Sequence, residues 1–504
     1  MVGIDFGTSK CAAATCDGAP PRAVLDRYGH DHMPSLLLVS PDGELAAGWE
    51  AMGHRRRYDV DWITVNSIKR FLRQQRGRSW PERPHEVAAL VLSRLRLELV
   101  TSLGASLRDA VIAIPAHFSI NQRWVVRQAA ELAGFRVARL LNEATAAGLR
   151  YAERHPMHDE YLLVIDFGGG TLDASLVFIG GGVYEVKAVA GDDRLGGDDF
   201  DKILIDLILE HLATAEGPSF CLATGQQTVL REAATRAKLE LSSSPEARIL
   251  LPGFLSMQHG MRSDVDIRIT ADYFRSLSGN LLNRLKLLLE RVLTDASLTP
   301  ADVHAVLLTG GTCRMPAVRD VVRGVLGPKA RAFDYSDTGV AEGAAILAAT
   351  LQGRRKDVLL LDVCPSSLGI ETTGGKVTAI VPRNTTIPTK HMEIFSTTQD
   401  NQTSVTVRVL QGESAVADEN ETVGILQLSQ IPPAPAGREN IEVTFEIDSD
   451  GVAIATALHR TTGRRQTLEV VSPSRLTAEE MKRVERTLAT QVDGIRSRIA
   501  LAAG

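Results

Sequence analysis

The chain has 504 residues, 44% of them hydrophobic and 23% charged, with a net charge of −5. That length supports roughly two to four compact units with real cores. A mildly acidic balance with only two dense basic runs, "HRRR" from His54 and "RRK" from Arg354, argues against nucleic acid as the partner, because phosphate neutralisation needs clustered Lys and Arg. The five cysteines show no CxxC spacing, which points to free, buried thiols in a reducing compartment. No apolar run approaches the ~18 residues that span a bilayer, and an apolar strand starts at Met1 or Val2, so a cytoplasmic protein without signal peptide or membrane partner is expected.

In chain order, the first element is an apolar strand ending in "IDFGTSK", followed by the β-compatible "KCAAATC". The same four residues, Ile-Asp-Phe-Gly, return in "IDFGGGTLD" from Ile165, followed by "DASLVFI". The Asp-Phe-Gly of protein kinases does not fit, since no strand lysine or His-Arg-Asp loop precedes the first copy. Each copy instead reads as a strand–turn–strand hairpin. This differs from the P-loop and the dinucleotide fingerprint, which run from a strand into a helix. A turn of Gly, Thr and Ser still cradles phosphate, because Gly permits close backbone approach and successive N–H groups form an anion nest. Two such hairpins from two halves of a chain predict one nucleotide gripped from opposite sides.

Between the copies, "HEVAALVLSRLRLELVTSL" reads as an amphipathic helix, "AVIAIPA" as a buried strand and "NQRWVVRQAAELAG" as a helix stopped by Gly134. After the second copy come the helices "DDFDKILIDLILEHLA" and "LREAATRAKLELS", then the buried strand "VHAVLLTGG". That strand feeds the helix "PAVRDVVRGVLG", with Pro316 in its first turn and Gly327 at its end. This part is α/β. Around Asp357 the style changes: "KDVLLLDV" sets an apolar run between charges, and alternating strands with Gly, Asn and Pro turns follow, including a hairpin turn at "SDG". They predict an all-β sandwich or barrel. A last helix begins near Thr477, which forms a capping box with Glu480, and carries Met481, Val484, Leu488, Val492, Ile495 and Ile499 at helical spacing.

These hairpins, together with "SIKRFL", "IPAHFSINQR", "LLNEATAAGL", "GGDDFD", "AKLELSSS", "LTGGTCRMP" and "KDVLLLDVCPSSLGIET" in that order, resemble the seventy-kilodalton heat-shock chaperone family of DnaK type. The resemblance implies a multidomain α/β plus all-β fold. Residues 1–352 form an actin-like two-lobed ATPase domain, 353–362 a linker, 363–474 a β-sandwich that binds extended peptides, and 475–504 a truncated lid helix. It implies ATP or ADP with Mg²⁺ and K⁺ as cofactors. Unfolded polypeptide segments, a J-domain co-chaperone and an exchange factor are the implied partners, and a monomer is expected.

Lys69 matches the lysine that positions the attacking water; on spacing alone it is also compatible with a surface lysine of an amphipathic helix. Asp5, Glu143, Asp166 and Asp173 match the carboxylates that hold Mg²⁺ through waters together with K⁺, and Thr171 completes the catalytic set. Gly7, Thr8, Ser9, Gly168, Gly169, Gly170 and Thr171 match phosphate contacts, with Gly196 and Gly197 beside them. Lys238, Ser242, Gly310, Gly311, Arg314 and Asp337 match adenosine contacts, Arg314 being suited to stack on the base. In the β region, Ile370, Phe395, Val405, Val407 and Ile441 match the apolar peptide pocket, or else ordinary sandwich core, and Thr373 and Thr398 stand at the arch over the peptide. Pro115 and Arg123 match the switch that relays nucleotide state. Val358, Leu359, Leu360, Leu361 and Asp362 match the linker that docks on the ATPase domain, the alternative being the first sandwich strand. Arg139 matches a J-domain docking arginine.

The chain departs from the family pattern where Thr235 replaces a glutamate, where Ala144 replaces the proline after Glu143, and where the stretch between Lys69 and His85 is short of a β-rich insertion. Competing readings are an actin-fold regulatory ATPase dedicated to one client, a filament former and a small-molecule kinase.

Overall fold

Two sheets of the same construction carry the α/β part of this computed structural model, which describes all residues except 41–43, 56–62, 66, 73–83, 105–106, 156–158, 217–221, 223, 257–261, 329–330, 335, 356–357, 470–475, 478, 487–488 and 490–504. In the first sheet the order is Arg22–Ala23, Lys10–Thr15, Val2–Phe6, Asp109–Ile114, Arg136–Asn142, with His32–Pro34 also paired to Lys10–Thr15. The second runs Arg331–Asp334, Val303–Thr309, Glu160–Phe167, Leu172–Gly180, Val183–Asp192, Leu359–Val363, Thr386–Ile387. In each, the strand carrying Ile-Asp-Phe-Gly makes an antiparallel hairpin on one side and a parallel pair on the other. The sequence repeat is therefore a repeat of topology.

The helices Glu143–Arg154 and Gly339–Leu351 pack together between the sheets. Their crossing is made of small residues, and a Cβ on Gly343 would strike the Ala146 backbone while one on Gly3 would strike Ala341 and Ala345. Close backbone approach is what those glycines provide. The helix Pro316–Leu326 begins at its proline and ends at Gly327, whose φ is 72°, as its sequence predicts.

One helix differs from expectation. Pro84–Leu103 reads as amphipathic, but every residue from Pro84 to Leu95 is buried. It is covered on more than one side, by the helix Ile120–Leu132 and by the strands Leu37–Val39 and Leu45–Ala47, and Val484 from the C-terminal region joins the same hydrophobic core. Arg94 tolerates this burial through an ion pair with Glu98 at 2.7 Å.

Beyond the linker strand, two four-stranded antiparallel sheets form the all-β unit, ordered Lys376–Val381, Leu368–Thr372, Ser404–Gln411, Glu421–Ser429 and Thr389–Ser396, Asn440–Ile447, Ala453–His459, Arg465–Glu469. Their shared core contains Leu368, Val409, Val443 and Phe445. Ile120 belongs to that same core, with Trp124 packed against it, so the first turn of the helix Ile120–Leu132 plugs the β unit onto the α/β body. The capping box at the C-terminal helix is present, with Thr477 N donating to Glu480 Oε2 at 2.8 Å and Glu480 N donating to Thr477 Oγ1 at 3.2 Å. Residues 479–486 are helical, and Val484 is buried in the core of the first sheet's lobe rather than against the β unit. The remainder of the expected helix lies outside the described residues. Among the described cysteines, Cys11, Cys16, Cys313 and Cys364 are free and buried; Cys221 lies outside them. No described helix is long and apolar enough to cross a membrane.

Candidate nucleotide site and the linker joined to it

The two hairpin turns meet face to face. Asp5 ends the first strand opposite Ala12, and Asp166 stands directly opposite Asp173 in the second hairpin. A Cβ on Gly169 would run into Ser9 and one on Gly170 into Thr8, so the turns interleave at a distance only glycine allows. The second turn rests on the start of the helix Gly197–Glu216: Gly197 N donates to Gly168 O at 3.0 Å and Asp198 N to Gly169 O at 2.8 Å. Gly310, with φ 83°, passes against the Phe167 carbonyl, and Thr312 Oγ1 donates to Gly168 O at 2.8 Å.

Between the turns opens a cleft. Of the expected residues, Asp5, Gly7, Thr8, Ser9, Lys69, Glu143, Asp166, Gly168, Gly169, Thr171, Gly197, Lys238, Ser242, Gly310, Gly311, Arg314 and Asp337 line it. Gly170, Gly196 and Asp173 do not. Gly196 packs behind the Gly169–Gly170 backbone, and Asp173 is buried beside His117. Lys10, Leu239, Thr309, Thr312 and Met315 also line the cleft; each is sequence-adjacent or nearly so to an expected residue, which is the signal that could have found it. At the mouth, Lys10 and Arg314 both pair with Asp337, at 3.1 and 2.9 Å, and these two cations hold the Asp337 carboxyl below its usual range against the opposing effect of burial.

Lys69 is no surface lysine. It sits on the single turn Ile68–Phe71, is 3% exposed and pairs with Glu143, itself buried. Burial penalises its charge, but Glu143, Asp5 and Asp166 together raise its pKa above the ordinary value. For the acids, burial dominates in the other direction: Asp5 is pushed up to about 6 and Asp166 to about 7, and Glu143 is raised well above normal, with Lys69 opposing all three. One cation does not balance this group, so further positive charge is needed for all of the acids to ionise. Among the described residues no three acids, histidines or cysteines converge closely enough to hold a metal ion directly. Asp173 Oδ2 is buried with no hydrogen-bond partner among the described residues. A ring of acids spaced this way fits a cation held through its waters, the arrangement Mg²⁺ prefers when phosphate supplies direct ligands.

The turn carrying Lys69 is clasped to the second lobe. Ser67, at φ 53°, donates to Asp198; Arg70 pairs with Asp199 and donates through Nε to Gly170 O at 2.6 Å. Sequence reasoning missed this clasp, whose partners lie a hundred residues or more away.

The apolar linker run is a strand with two neighbours. Leu359–Val363 pairs in parallel with Val183–Asp192, Leu360 opposite Tyr184, and at its end pairs with Thr386–Ile387 of the β unit. The strand belongs to neither of the two four-stranded sheets, so it is not the first strand of the sandwich. Val358 and Leu360 pack against the core between the two sheets, while Leu359 is 55% exposed. Asp362 accepts a hydrogen bond from Asn142 Nδ2 at 2.6 Å. Arg123 is fully engaged: its guanidinium donates to the carbonyls of Phe118 and Ala116, to Asn142 Oδ1 at 2.9 Å, and to the Asp450 carbonyl at 3.2 Å. Pro115 accepts from Phe118 N and starts the loop that Arg123 braces. The Asp450 carboxylate pairs with Arg127 and, at 3.1 Å, with Arg139. Asp450 lies in the "SDG" turn, where the sequence offered no sign of an ionic role.

In the β unit, Ile370, Val407 and Ile441 are buried in the sandwich core, with Phe395 and Val405 partly buried against it. Thr373 and Thr398 are exposed in the loops that follow the strands Leu368–Thr372 and Thr389–Ser396.

Comparison with known sequences comes to the same place. A family model described as Hsp70 protein matches residues 74–493. A chaperone protein dnaK from Cyanidioschyzon merolae is 38% identical over 515 residues, covering 96% of this chain and 84% of that protein. Chaperone protein DnaK from Trichormus variabilis is 38% identical over 525 residues, 99% of this chain and 76% of its own. Chaperone protein dnaK3 from Synechococcus elongatus is 39% identical over 518 residues, 96% and 68% respectively.

Proposed function

The chain belongs to the Hsp70 protein family, and from that premise we propose how it works as an ATP-dependent chaperone: the cleft hydrolyses ATP, and the linker strand carries the state of the cleft to a peptide-binding β unit. The observation that carries this reading is the buried Lys69–Glu143 pair at the floor of a cleft between two interleaved glycine turns.

ATP enters an actin-like two-lobed domain with its phosphates between the turns, where backbone N–H groups and the Thr8, Ser9 and Thr171 hydroxyls donate to phosphate oxygens. Adenosine lies towards Lys238, Ser242, Gly310, Gly311, Arg314 and Asp337. Asp5, Glu143, Asp166 and Asp173 would hold Mg²⁺ through waters, with K⁺ beside it, and the bound cations would supply charge neutralisation at the phosphates. Lys69 orients the attacking water and offsets charge that grows on the γ-phosphoryl oxygens. Glu143 pairs with Lys69 and holds it in place. Lys69→Ala is expected to abolish most turnover.

The β unit takes an extended apolar peptide segment over Ile370, Phe395, Val405, Val407 and Ile441, with Thr373 and Thr398 as a polar arch. The present arrangement, with the linker strand added to the α/β sheet and the C-terminal helix on the first lobe, corresponds to the ATP-bound half of the cycle. Undocking of Leu359–Val363 belongs to the ADP half, a two-state coupling of the two sites. Arg139 is held by Asp450 and Ser449 here, so a J-domain co-chaperone that uses Arg139 competes with the docked β unit. An exchange factor, a monomeric state and a cytoplasmic location complete the reading. A kinase or a filament former has no use for the linker strand, and the relatives give neither reading support.

The test is ATP turnover with and without a Leu-rich heptapeptide, on the native chain, Lys69→Ala and Leu360→Asp. The reading predicts slow turnover raised by peptide, lost in the first variant and deaf to peptide in the second. Turnover that ignores peptide in the native chain would contradict it.

A further inference from the structure

His117 belongs to none of the groups assigned above, yet it touches one of them. Its Nδ1 lies 2.6 Å from Asp173 Oδ1, and its backbone N–H donates to the same oxygen at 3.3 Å. An ionised carboxylate only accepts, so the shared proton sits on Nδ1. Both side chains are nearly inaccessible, 14% and 3% exposed.

The surroundings are shaped for this contact. On the neighbouring strand the residue paired with Asp173 is Gly191, and a Cβ there would fall inside the His117 ring. The imidazole thus occupies the place that any other residue at 191 would fill. The loop bearing His117 is also fixed from outside, because Arg123 binds the carbonyls of Ala116 and Phe118 on either side of it. Asp173 consequently has one oxygen clamped, while Oδ2 is buried with no partner among the described residues and the residue stands in register with Asp166.

We infer that His117 is a positioning residue for ATP hydrolysis: it fixes the rotation of the Asp173 carboxylate through Oδ1 and so sets the direction of Oδ2, which stands behind the cleft lining in register with Asp166. The inference rests on the reading of Asp173 given under Proposed function. The chemistry is that of an outer partner orienting a carboxylate next to the reacting groups, where loss typically costs about 10-fold to 100-fold in rate.

His117→Phe keeps a ring over Gly191 but removes the side-chain donor; His117→Asn keeps a donor near the place of Nδ1; Gly191→Ala pushes the native ring off Asp173. Single-turnover hydrolysis at saturating ATP and Mg²⁺ is measured for each, together with affinity for a fluorescent ADP analogue and thermal unfolding. The expected result is hydrolysis slowed about 10-fold or more by His117→Phe and Gly191→Ala, largely restored in His117→Asn, with ADP affinity and melting temperature close to native. A combined His117→Phe, Asp173→Asn protein should be no slower than Asp173→Asn alone, since the two act as one unit. Native rates in His117→Phe while Asp173→Asn is slow would overturn the inference and leave the reading of Asp173 standing. Native rates in Asp173→Asn would instead overturn that reading. Loss of ADP affinity in step with rate would reduce His117 to a structural role and also overturn the inference.

Discussion

The nucleotide cleft and the seam that joins the β unit to the α/β body are built on opposite principles. The cleft gathers like charges: three acids with raised pKa values around one buried lysine, a group short of positive charge. The seam pairs opposites, Asp450 with Arg127 and Arg139 and Asp362 within the Arg123–Asn142 network, and it also buries Ile120 in the β core. A site that waits for a charged ligand is left unbalanced, whereas a contact between parts of one chain is balanced from within. The difference teaches where each will break.

The largest expected effect is at the cleft. Lys69→Ala should lower turnover by about 10²–10³-fold, the size seen when a single preorganised charge or donor is removed from a transition state, with nucleotide affinity changed far less. Quenched-flow hydrolysis alongside equilibrium binding checks this split.

Next is the seam. Asp450→Ala leaves Arg127 and Arg139 facing each other without their anion, and truncating one partner of such a pair costs about 2–5 kcal/mol, drawn here from docking. The linker should then become accessible to proteolysis even with ATP present. Arg139→Ala alone removes a partly exposed contact and should cost about 1 kcal/mol or less. Finding equal effects for the two would blur the distinction between a buried hub and its rim.

A third expectation concerns Val484. Replacing it by Asp should detach the C-terminal helix from the first lobe and destabilise that lobe by about 1.5–3 kcal/mol, the worth of one fully buried aliphatic side chain. Calorimetry should show a lower transition temperature with the β unit unaffected.

A fourth expectation is the pH dependence of the nucleotide-free protein. Asp5 and Asp166 are raised from 3.8 to about 6 and about 7. Between pH ~4 and ~7 the folded state therefore binds protons that the unfolded chain has released, and stability contributed at these sites is lost as pH rises through their folded values. The melting temperature without nucleotide or Mg²⁺ should fall across that window relative to Asp5→Asn, Asp166→Asn protein. Mg²⁺ with ATP should remove the difference.

The two regions were also unequally legible. The cleft was readable because its parts are local: "IDFGTSK" and "IDFGGGTLD" each hold strand, turn and acid within a few residues, and the structure makes both into hairpins. The linker was readable as an apolar run between charges, though nothing in "VLLLD" says that one strand will pair on both sides. The seam was not readable, since Asp450 sits in an ordinary hairpin turn and meets arginines more than three hundred residues earlier. His117 was hidden differently: its partner Asp173 was named, but the space for its ring depends on Gly191, whose glycine reads as nothing in a single sequence. The Pro84–Leu103 helix misled because amphipathic spacing assumes one covered face, and here the helix Ile120–Leu132 and the strands Leu37–Val39 and Leu45–Ala47 all pack against it.

The central claim is that the strand Leu359–Val363 joins the state of the cleft to the β unit. It is tested most directly by the release rate of a fluorescent apolar peptide, measured with ADP and then with ATP, on the native chain and on Leu360→Asp. The account predicts that ATP speeds release severalfold from the native chain and has little effect on Leu360→Asp, while both hydrolyse ATP at similar basal rates. Equal acceleration by ATP in the two proteins would contradict it.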